Sequence, residues 1–505
     1  MAFLPREKIE QEYLNRFRSY NNFEDCRSGA RERTLFFEKE TKESRITPYF
    51  YQKEAIDAWK NAGMVGMLSM ATATGKTYTA LFAIEQLLKQ GKPILIVVPT
   101  TILLNQWHKN ISTIYPNVPV FSAGGEYNWR SQTNKRIFIS DLKLSRIILS
   151  TMATAASNDF LEFLGQANNL VLIADEAHRL GSPTYRKILN LNYFAKLGLS
   201  ATPERLFDPD GTKALINAFG DKHVYSLPIE SRVRLSMNDE KDVPILGHFL
   251  SRYNYYFYTV HLEKNEQEKW DELTSKISRL YAQFKSRESR DEDETETDSG
   301  IKLLLIQRAR IIKKAQNKIN VISGIIRERY PSNGRWIIYC EDEVQLNSVI
   351  SILRKEHQQK VILKYHSKMK QIDRDNSIQY FENNPSIIVS IRCLDEGVDV
   401  PQADGAVILA SSSNPRQYIQ RRGRVLRKAM NKEKASIVDV LVLPTYNELD
   451  THHSIVKGEL ARAWNFAKNA MNRDVTHELW KICVNYNVDI EIDAKNGIED
   501  VDLEG

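Results

Sequence analysis

Cysteine is scarce in this chain, and the four that occur are far apart. Cys26, Cys340, Cys393 and Cys483 form no Cys-x-x-Cys pair among 505 residues. A zinc site or a disulfide framework is therefore not expected, because both need closely matched sets of cysteines. This usage fits a reducing compartment, so we expect a cytoplasmic protein.

Long hydrophobic runs are also missing. No apolar stretch approaches the length that spans a membrane, and the first eight residues lack the apolar core of a signal peptide. We therefore expect no membrane partner. The length of 505 residues implies roughly three domains. The net charge of +6 permits a polyanionic partner without proving one.

The most informative stretch is Met70-Ala71-Thr72-Ala73-Thr74-Gly75-Lys76-Thr77, which lies between an apolar run and a helix-forming run. A strand, a tight loop ending in Gly-Lys-Thr and a helix form the phosphate-binding P-loop. Lys76 would reach the β- and γ-phosphates, and the Thr77 hydroxyl would ligate Mg²⁺. The alternative is an ordinary polar turn. Met70 and Ala73 stand where glycines are usual, and alanine costs more at positive φ. We expect the nucleotide to contact Thr74, Gly75, Lys76 and Thr77.

A glutamine precedes this loop. Gln52 follows the turn Thr47-Pro48-Tyr49-Phe50-Tyr51 and leads into a predicted helix. Its amide can donate and accept at once, as recognition of an adenine edge requires. A glutamine beside aromatics is otherwise an ordinary surface residue, and its place before the P-loop favours the adenine role.

Further apolar runs end in polar clusters at Pro99-Thr100, Ser150-Thr151, Asp175-Glu176 and Ser200-Ala201-Thr202. Strands alternating with helices predict a doubly wound α/β domain, with functional groups at the carboxyl ends of the strands. Asp175 at such an end would hold Mg²⁺ beside the P-loop hydroxyl, and Glu176 would orient or deprotonate the attacking water. Adjacent acids are also common on solvated loops, but the preceding apolar run favours the hydrolytic role.

A second α/β unit is predicted from Arg335 to Leu443, with the stretch Ala435–Leu443 closing its sheet. Gly397 allows a tight turn, and we expect Gly397 and Asp399 to contact the nucleotide from a loop in the interdomain cleft. Arg424 and Arg427 are three apart, so on a helix they share a face. Guanidiniums aimed at a γ-phosphate stabilise the charge of phosphoryl transfer, although an Arg-rich helix is otherwise often only a polyanion patch.

These motifs resemble superfamily 2 helicases, through Gly-Lys-Thr, Asp-Glu-Ala-His at 175–178, Ser-Ala-Thr at 200–202 and the stretch Gln417–Arg427. The stretches 97–107 and 197–205 look like one branch, that of the TFIIH repair translocase and of restriction-enzyme motor subunits. The similarity runs from Gln52 to Arg427. It implies that Gln420 touches the attacking water and that Arg421 holds the neighbouring acidic motif.

The segment between the two units has a different pattern. Arg252–Val260 is rich in tyrosine and predicts an edge strand, a stacking platform for bases or, more commonly, core packing. Glu266–Phe284 predicts a helix, Arg287–Gly300 a disordered acidic loop, and Ile301–Arg329 one long helix. That helix has an apolar stripe and a second face that would be solvated or would follow phosphates, comprising Lys302, Arg308, Arg310, Lys313, Lys314 and Lys318.

The expected fold is α/β, with two tandem RecA-like doubly wound parallel-sheet lobes, a helical insertion and a small C-terminal helical extension. The expected domains are an N-terminal helical extension (1–44), lobe 1 with the ATP site (45–230), a helical insertion with the acidic loop (231–330), lobe 2 (331–445) and the C-terminal extension (446–505). His452-His453 and the acids after Val488 are too weak a pattern for a metal or nuclease site.

The expected function is an ATP- and Mg²⁺-dependent nucleic-acid motor, acting on DNA more readily than RNA. Lys76, Asp175, Glu176, Gln420, Arg424 and Arg427 would carry hydrolysis. The backbone of the nucleic acid would lie on Pro99, Thr100, Ser150, Thr151, His366, Ser367 and Arg392. A partner nuclease or other subunits of a restriction or anti-phage complex would complete it. The alternatives are a duplex DNA translocase that does not separate strands and a nucleotide-dependent scaffold with weak ATPase.

Overall fold

The computed structural model describes residues 46–125, 127–131, 146–200, 209–220, 223–288, 295–391, 403–410, 421–429, 432–445, 454–486 and 488. The chain divides into the units Met1–Thr47 and Pro48–Gly505, and both parallel sheets lie in the second unit. Several expectations lie outside the described residues, namely those on residues 1–44, 201–205 and 489–495 and on Arg392, Gly397, Asp399, Gln420, His452 and His453.

The first lobe is built on a parallel sheet. Its described strands are β1 Val65–Met70, β2 Pro93–Val98, β3 Val120–Ala123, β4 Arg146–Thr151, β5 Leu170–Asp175, β6 Tyr193–Ser200 and β7 His223–Leu227. They lie in the order β3-β4-β2-β5-β6-β1-β7, and every described pair is parallel. All residues of β2, β4 and β5 are buried, as parallel strands covered on both faces require. The strands β3 and β7 were not predicted.

Helices cover this sheet and deliver the loops at its carboxyl edge. They are α1 Phe50–Asn61, α2 Lys76–Lys89, α3 Thr101–Ile114, α4 Met152–Ala155, α5 Asn158–Gly165 and α6 Pro209–Phe219. Short 3₁₀ turns follow at Trp129–Ser131, Ala177–Gly181 and Arg186–Asn190. After β7 the chain makes a small antiparallel pair, β8 Arg232–Val233 with β9 Val243–Pro244, and a turn at Ile245–His248.

The second lobe is a second parallel sheet. Its described strands are β10 Arg252–Val260, β11 Arg335–Cys340, β12 Ile362–Tyr365, β13 Ser386–Ile391, β14 Gly405–Ile408 and β15 Lys434–Val442, in the order β10-β15-β14-β11-β13-β12. The helices α11 Glu343–Glu356 and α12 Gln371–Asn383 flank it. The prediction that the last strand closes this sheet is wrong, because β10 pairs with β15 along nine residues and forms the edge.

The tyrosine-rich segment is thus an edge strand, as one of the alternatives predicted, and two of its tyrosines lie in the core of the second lobe. Tyr253 and Tyr255 are fully buried. The hydroxyl of Tyr253 donates to the carbonyl of Phe466, and the ring of Tyr255 stacks on that of Phe466. The segment 231–330 is thus not helical throughout, and it supplies a strand to the second sheet.

Helices fill the rest of that segment, namely α7 Lys264–Glu288, α8 Thr295–Lys314, α9 Gln316–Asn320 and α10 Ile322–Arg329. The predicted single helix over Ile301–Arg329 is wrong, because Ala315 leaves the helical region at φ −47° and ψ 127°. The loop predicted over Arg287–Gly300 overlaps two helices at its described ends, since α7 continues to Glu288 and α8 begins at Thr295.

The predicted basic face is also incomplete. Arg308 and Lys318 are buried, at 2% and 0% exposed. Arg308 lies over the ring of Trp270, and Lys318 donates to the carbonyl of Leu409. These two cations are therefore structural and do not line a surface.

The C-terminal extension packs on the second sheet through α13 Ser454–Ala467, and α14 Asp474–Asn485 packs against α13. Arg462 of α13 is fully buried and pairs with Asp439 of β15 and with Glu459. Tyr255 also donates to Asp439, at 3.3 Å. A charged network therefore ties α13 to two strands of the sheet. No described helix is long and apolar enough to cross a membrane.

Candidate nucleotide site and strand-end cluster

The phosphate loop turns from β1 into α2 through two left-handed residues. Ala73 has φ 64° and Gly75 has φ 78°. A β-carbon at Gly75 would lie 2.7 Å from Nε2 of Gln52, the end of a side chain that can move, so it is the positive φ that favours glycine at this position. Lys76 is the first residue of α2. The loop therefore brings this lysine and the unpaired N–H groups of a helix N-terminus to one place, which suits an anion.

Residues of α1, which precedes the phosphate loop in the chain, form hydrogen bonds to the loop. The hydroxyl of Tyr51 donates to the carbonyl of Thr74 at 2.8 Å, and the hydroxyl of Thr74 donates to the carbonyl of Ala71 at 2.7 Å. Gln52 is 3% exposed; its Oε1 accepts from the N–H of Tyr49, and its Nε2 makes long contacts of 3.5 and 3.4 Å to the carbonyls of Thr74 and Gly75. The amide expected to face adenine therefore contacts the phosphate loop. Its two Nε2 contacts are long and weak, so an acceptor on a bound adenine can replace them.

Asp175 is the last residue of β5, and both of its oxygens have donors. Oδ2 accepts from Nε1 of Trp107 at 2.8 Å, and Oδ1 accepts from the N–H of Glu176 at 3.1 Å. Burial raises the pKa of Asp175 to about 6, and the charge of Glu176 adds to this. The bond from Trp107 and the charge of Lys76 oppose the rise, so the P-loop lysine lies within electrostatic reach of this carboxylate.

Glu176 adopts a left-handed conformation, with φ 49° and ψ 50°. This conformation is costly for a residue with a side chain and is concentrated at functional sites. Its Oε2 is buried, accepts no hydrogen bond from the part of the chain that the structure describes, and lies 3.5 Å from Nδ1 of His178. The same Nδ1 lies 3.2 Å from Oγ of Ser200. The end of β5 is thereby linked to the end of β6, which lies between β5 and β1 in the sheet.

The arginine-rich stretch divides into buried and half-buried members. Arg421 and Arg422 are 2% and 5% exposed. The first donates to the carbonyl of Ala410 and lies over the ring of Tyr339; the second donates to the carbonyl of Asn465. Within the described residues, Arg421 therefore contacts a carbonyl and an aromatic ring, and the acidic motif expected as its partner, residues 395–399, lies outside them.

Arg424 and Arg427 are half-buried, and the N–H of Arg427 donates to the carbonyl of Arg424 at 3.4 Å. Between these arginines and the buried pair lies Gly423, whose α-carbon faces Thr72 of the phosphate loop. Lys432 donates to the carbonyls of Val425 and Arg427 and fixes the end of this turn. The structure therefore brings the arginine-rich turn of lobe 2 against the P-loop of lobe 1.

These residues fit ATP with Mg²⁺. The helix N-terminus and Lys76 suit phosphates, Thr77 and Asp175 offer the oxygen ligands that Mg²⁺ prefers, and the buried Oε2 of Glu176 has acceptor capacity for a water molecule. When bound, Mg²⁺ supplies charge that stabilises a leaving phosphate. Among the described residues no group of three or more His, Cys, Asp and Glu is placed to hold a metal by itself.

The residues expected to contact nucleic acid are placed unevenly. Pro99 and Thr100 follow β2 and are half-buried, and Ser367 follows β12 and is exposed. Thr151 is 6% exposed and accepts from the N–H of Thr154. Ser150 is fully buried and its hydroxyl donates to the carbonyl of Thr151, so it offers no exposed group to a nucleic acid in this structure.

His366 lies at the end of β12 and is 9% exposed. Its pKa is lowered by burial and by the charge of Lys364, while Glu343 opposes this, with Oε1 3.8 Å from Nδ1 of His366. The neutral ring that results can donate one hydrogen bond and accept another.

Sequence reasoning missed three contributors to this edge of the first lobe. No role was predicted for Trp107, because its bond to Asp175, 68 residues away in the chain, has no local signal. Gly124 and Gly125 follow β3 and leave no room for a β-carbon, because Thr151 and Thr101 lie against them. The Gly-Gly pair after a strand was the available signal for this second close approach.

Comparison with known proteins agrees with this geometry in both halves of the chain. Residues 45–205 match the family model described as "Type III restriction enzyme, res subunit", and residues 317–429 match "Helicase conserved C-terminal domain". The chain is a superfamily 2 helicase or translocase. This motor hydrolyses ATP and acts on nucleic acid, and its two parallel sheets are the RecA-like lobes expected from the sequence.

Relatives of the motor include a protein named "DNA 3'-5' translocase XPB2" from Sulfurisphaera tokodaii, 27% identical over 78% of this chain and 80% of the relative. A "Putative ATP-dependent RNA helicase QP509L" of African swine fever virus is 31% identical over 34% of this chain and 32% of its own length. The solved structure of the "ATP-dependent Type ISP restriction-modification enzyme LlaBIII bound to DNA" is 18% identical, with a TM-score of 0.52. It covers 84% of this chain and 30% of that one, and shows the fold.

Proposed function

We propose that this motor binds ATP and Mg²⁺ between its lobes and uses hydrolysis to translocate along DNA. The observation that carries the proposal is the contact of Gly423 with Thr72, because it joins the arginine-rich turn of one lobe to the phosphate loop of the other. A site assembled from two lobes is complete only when they close. Hydrolysis is then coupled to opening and closing, and each cycle moves the lobes relative to the bound strand.

The residue roles in this proposal follow the geometry. Lys76 binds the β- and γ-phosphates, Thr77 and Asp175 hold Mg²⁺, and Glu176 accepts a proton from the attacking water through its unbonded Oε2. Arg424 and Arg427 stabilise the charge on the transferred phosphoryl group. Gln52, Thr74 and Gly75 shape the nucleotide site. Gln420, Gly397 and Asp399, outside the described residues, keep their proposed roles of water contact and nucleotide contact.

DNA is the proposed track. The relative that matches the larger share of this chain bears the name of a DNA translocase, whereas the viral relative named for RNA matches about a third of it. The backbone would lie over the strand ends at Pro99, Thr100, Thr151, His366, Ser367 and Arg392, where contacts fix position without reading sequence. The buried Ser150 is excluded from this set.

We also propose the setting of the motor. Its match to a restriction subunit family favours a partner nuclease in a restriction or anti-phage complex, located in the cytoplasm. The proposed domains are lobe 1 at 45–230, lobe 2 at 331–445, a connecting segment at 231–330 that also lends β10 to lobe 2, and extensions at 1–44 and 446–505.

The roles are tested by ATPase assays with no polynucleotide, with duplex DNA, with single-stranded DNA and with RNA. Wild type should be stimulated most by DNA and should lose all turnover when EDTA removes Mg²⁺. Lys76→Ala and Glu176→Gln should abolish stimulated turnover and leave DNA binding intact. Lys89→Ala, an exposed lysine at the other end of α2, is the control and should behave as wild type. Retained turnover in Lys76→Ala or Glu176→Gln would overturn these roles.

Translocation is separated from strand separation by two substrates. A translocase displaces a triplex-forming strand from duplex DNA in the presence of ATP, and a helicase also separates a forked duplex. We expect triplex displacement. Strand separation without triplex displacement would contradict translocation along duplex DNA, and stimulation by RNA alone would contradict the proposed track.

A further inference from the structure

Trp107 is a buried donor to the metal-binding carboxylate. The side chain is 1% exposed, and its Nε1 donates to Oδ2 of Asp175 at 2.8 Å. The other oxygen accepts from the N–H of Glu176. With both oxygens held, the carboxylate has one orientation, and the bond from Trp107 is the only one of the two that comes from another element.

The helix that carries Trp107 begins at the strand end proposed to contact DNA. Thr100 caps α3, its hydroxyl accepting from the N–H of Leu103. Trp107 lies about two turns further along, at roughly 1.5 Å per residue. The buried face of α3 packs on the sheet and consists of Leu104, Trp107 and Ile111. A displacement of the start of α3 therefore reaches the indole through a rigid helix.

The first turn of α3 is exposed and lies against a second strand end. Thr101 and Ile102 are exposed, and the side chain of Thr101 packs on Gly125. Gly124 packs in turn on Thr151 and Thr154. A nucleic-acid backbone on this surface would contact α3 directly, about 10 Å along the helix from Trp107.

We propose that Trp107 is a positioning residue that couples DNA binding at the start of α3 to the orientation of Asp175, and so to the rate of hydrolysis. The inference rests on the proposed function and adds a structural route by which bound DNA stimulates ATP hydrolysis. Another described link of the acid pair runs through His178, in the turn after β5, to Ser200 at the end of β6. Since Trp107 touches Asp175 and not the nucleotide, its effect is exerted through that carboxylate.

The test is Trp107→Phe, which keeps an aromatic side chain and removes the donor. The matched control is Trp59→Phe, because Trp59 is also fully buried and its Nε1 donates at 3.0 Å to the carbonyl of Lys196, away from the acids. For each protein the basal kcat, the DNA-stimulated kcat, the Kd for DNA and the thermal midpoint are measured.

We expect Trp107→Phe to lower the ratio of stimulated to basal kcat about tenfold, with the Kd for DNA within about twofold of wild type. Trp59→Phe should keep the full stimulation factor. A stimulation factor in Trp107→Phe equal to wild type, or an equal fall in basal and stimulated rates, would overturn the inference. A wild-type protein that DNA does not stimulate would instead overturn the proposed function.

A second variant distinguishes loss of the hydrogen bond from loss of folding. Trp107→Met fills the space with a flexible apolar chain and also lacks a donor. It should reproduce the selective fall in stimulation if the hydrogen bond is the cause. If it keeps wild-type stimulation while folded, the indole bond has no part in coupling.

Discussion

Gly423 of the second lobe lies directly on Thr72 of the first. A β-carbon at Gly423 would lie 2.7 Å from Cβ and 2.8 Å from Cγ2 of Thr72, closer than non-bonded carbons approach. Gly423 is buried, and the half-buried Arg424 follows it. The absence of a side chain at this one position therefore allows the arginine-rich turn to reach the phosphate loop.

Gly423→Ala should separate these two surfaces. We expect the stimulated ATPase to fall by about tenfold or more, because a small displacement of catalytic groups has a large effect on rate. ATP binding to lobe 1 should be preserved. Gly324→Ala is the matched control, since no atom lies within 4 Å of a β-carbon at that helical position. Equal ATPase rates for the two variants would refute the importance of the contact.

The network around Arg462 should dominate the stability of the second lobe. Arg462 and Asp439 are fully buried and Glu459 nearly so, which leaves two carboxylates without this cation if it is removed. Arg462→Met should lower the free energy of unfolding by about 3–5 kcal/mol. The measurement is chemical denaturation followed by circular dichroism.

An exposed ion pair is the control for that measurement. Arg130 pairs with Asp159 at 2.8 Å, and both side chains are more than half exposed. Arg130→Met should change the free energy of unfolding by less than about 1 kcal/mol. If Arg462→Met were equally mild, the network would be a minor contributor.

Lys432 should make stability depend on pH. Burial lowers its pKa from 10.5 to about 8, against the opposing charge of Asp404, and Arg335 adds to the lowering. Below about pH 8 the folded and unfolded chains both hold this proton; between about 8 and 10.5 the unfolded chain holds it and the folded chain does not. The free energy of unfolding therefore rises with pH in this window.

Lys432→Met removes that contribution. The difference in unfolding free energy, wild type minus variant, should grow by about 1.5 kcal/mol from pH 8 to 9.5. Lys428→Met, at an exposed neighbouring position, serves as the control. A difference for Lys432→Met that stays constant or falls with pH would show that the folded state does not disfavour the charged lysine.

Most strands and helices of the first lobe could be predicted from local sequence. The apolar run before the P-loop forms the strand Val65–Met70, as the P-loop pattern predicts, and α2 begins at Lys76, where a P-loop helix should begin. The positive φ of Ala73 follows from the same loop pattern. These features depend on neighbours in the chain, so periodicity and turn chemistry suffice to find them.

Long-range pairing was beyond such reasoning. The strand β10 was recognisable by its tyrosines, but its partner β15 is about 180 residues away, and no local pattern specifies that pairing. Arg308 and Lys318 were assigned to a surface because charged residues at helical spacing usually face solvent. Their burial depends on an aromatic ring and a carbonyl supplied by other elements. Ser150 ends a strand, where a polar residue is usually accessible, but the structure buries it completely.

The central claim is that two remote halves of the chain share one ATP site. Its most direct test is the stimulated turnover of Arg424→Ala and Arg427→Ala at saturating ATP and DNA, with nucleotide binding measured in parallel. The account predicts a loss of at least about a hundredfold in kcat with nucleotide binding retained. Turnover of both variants within twofold of wild type would contradict it.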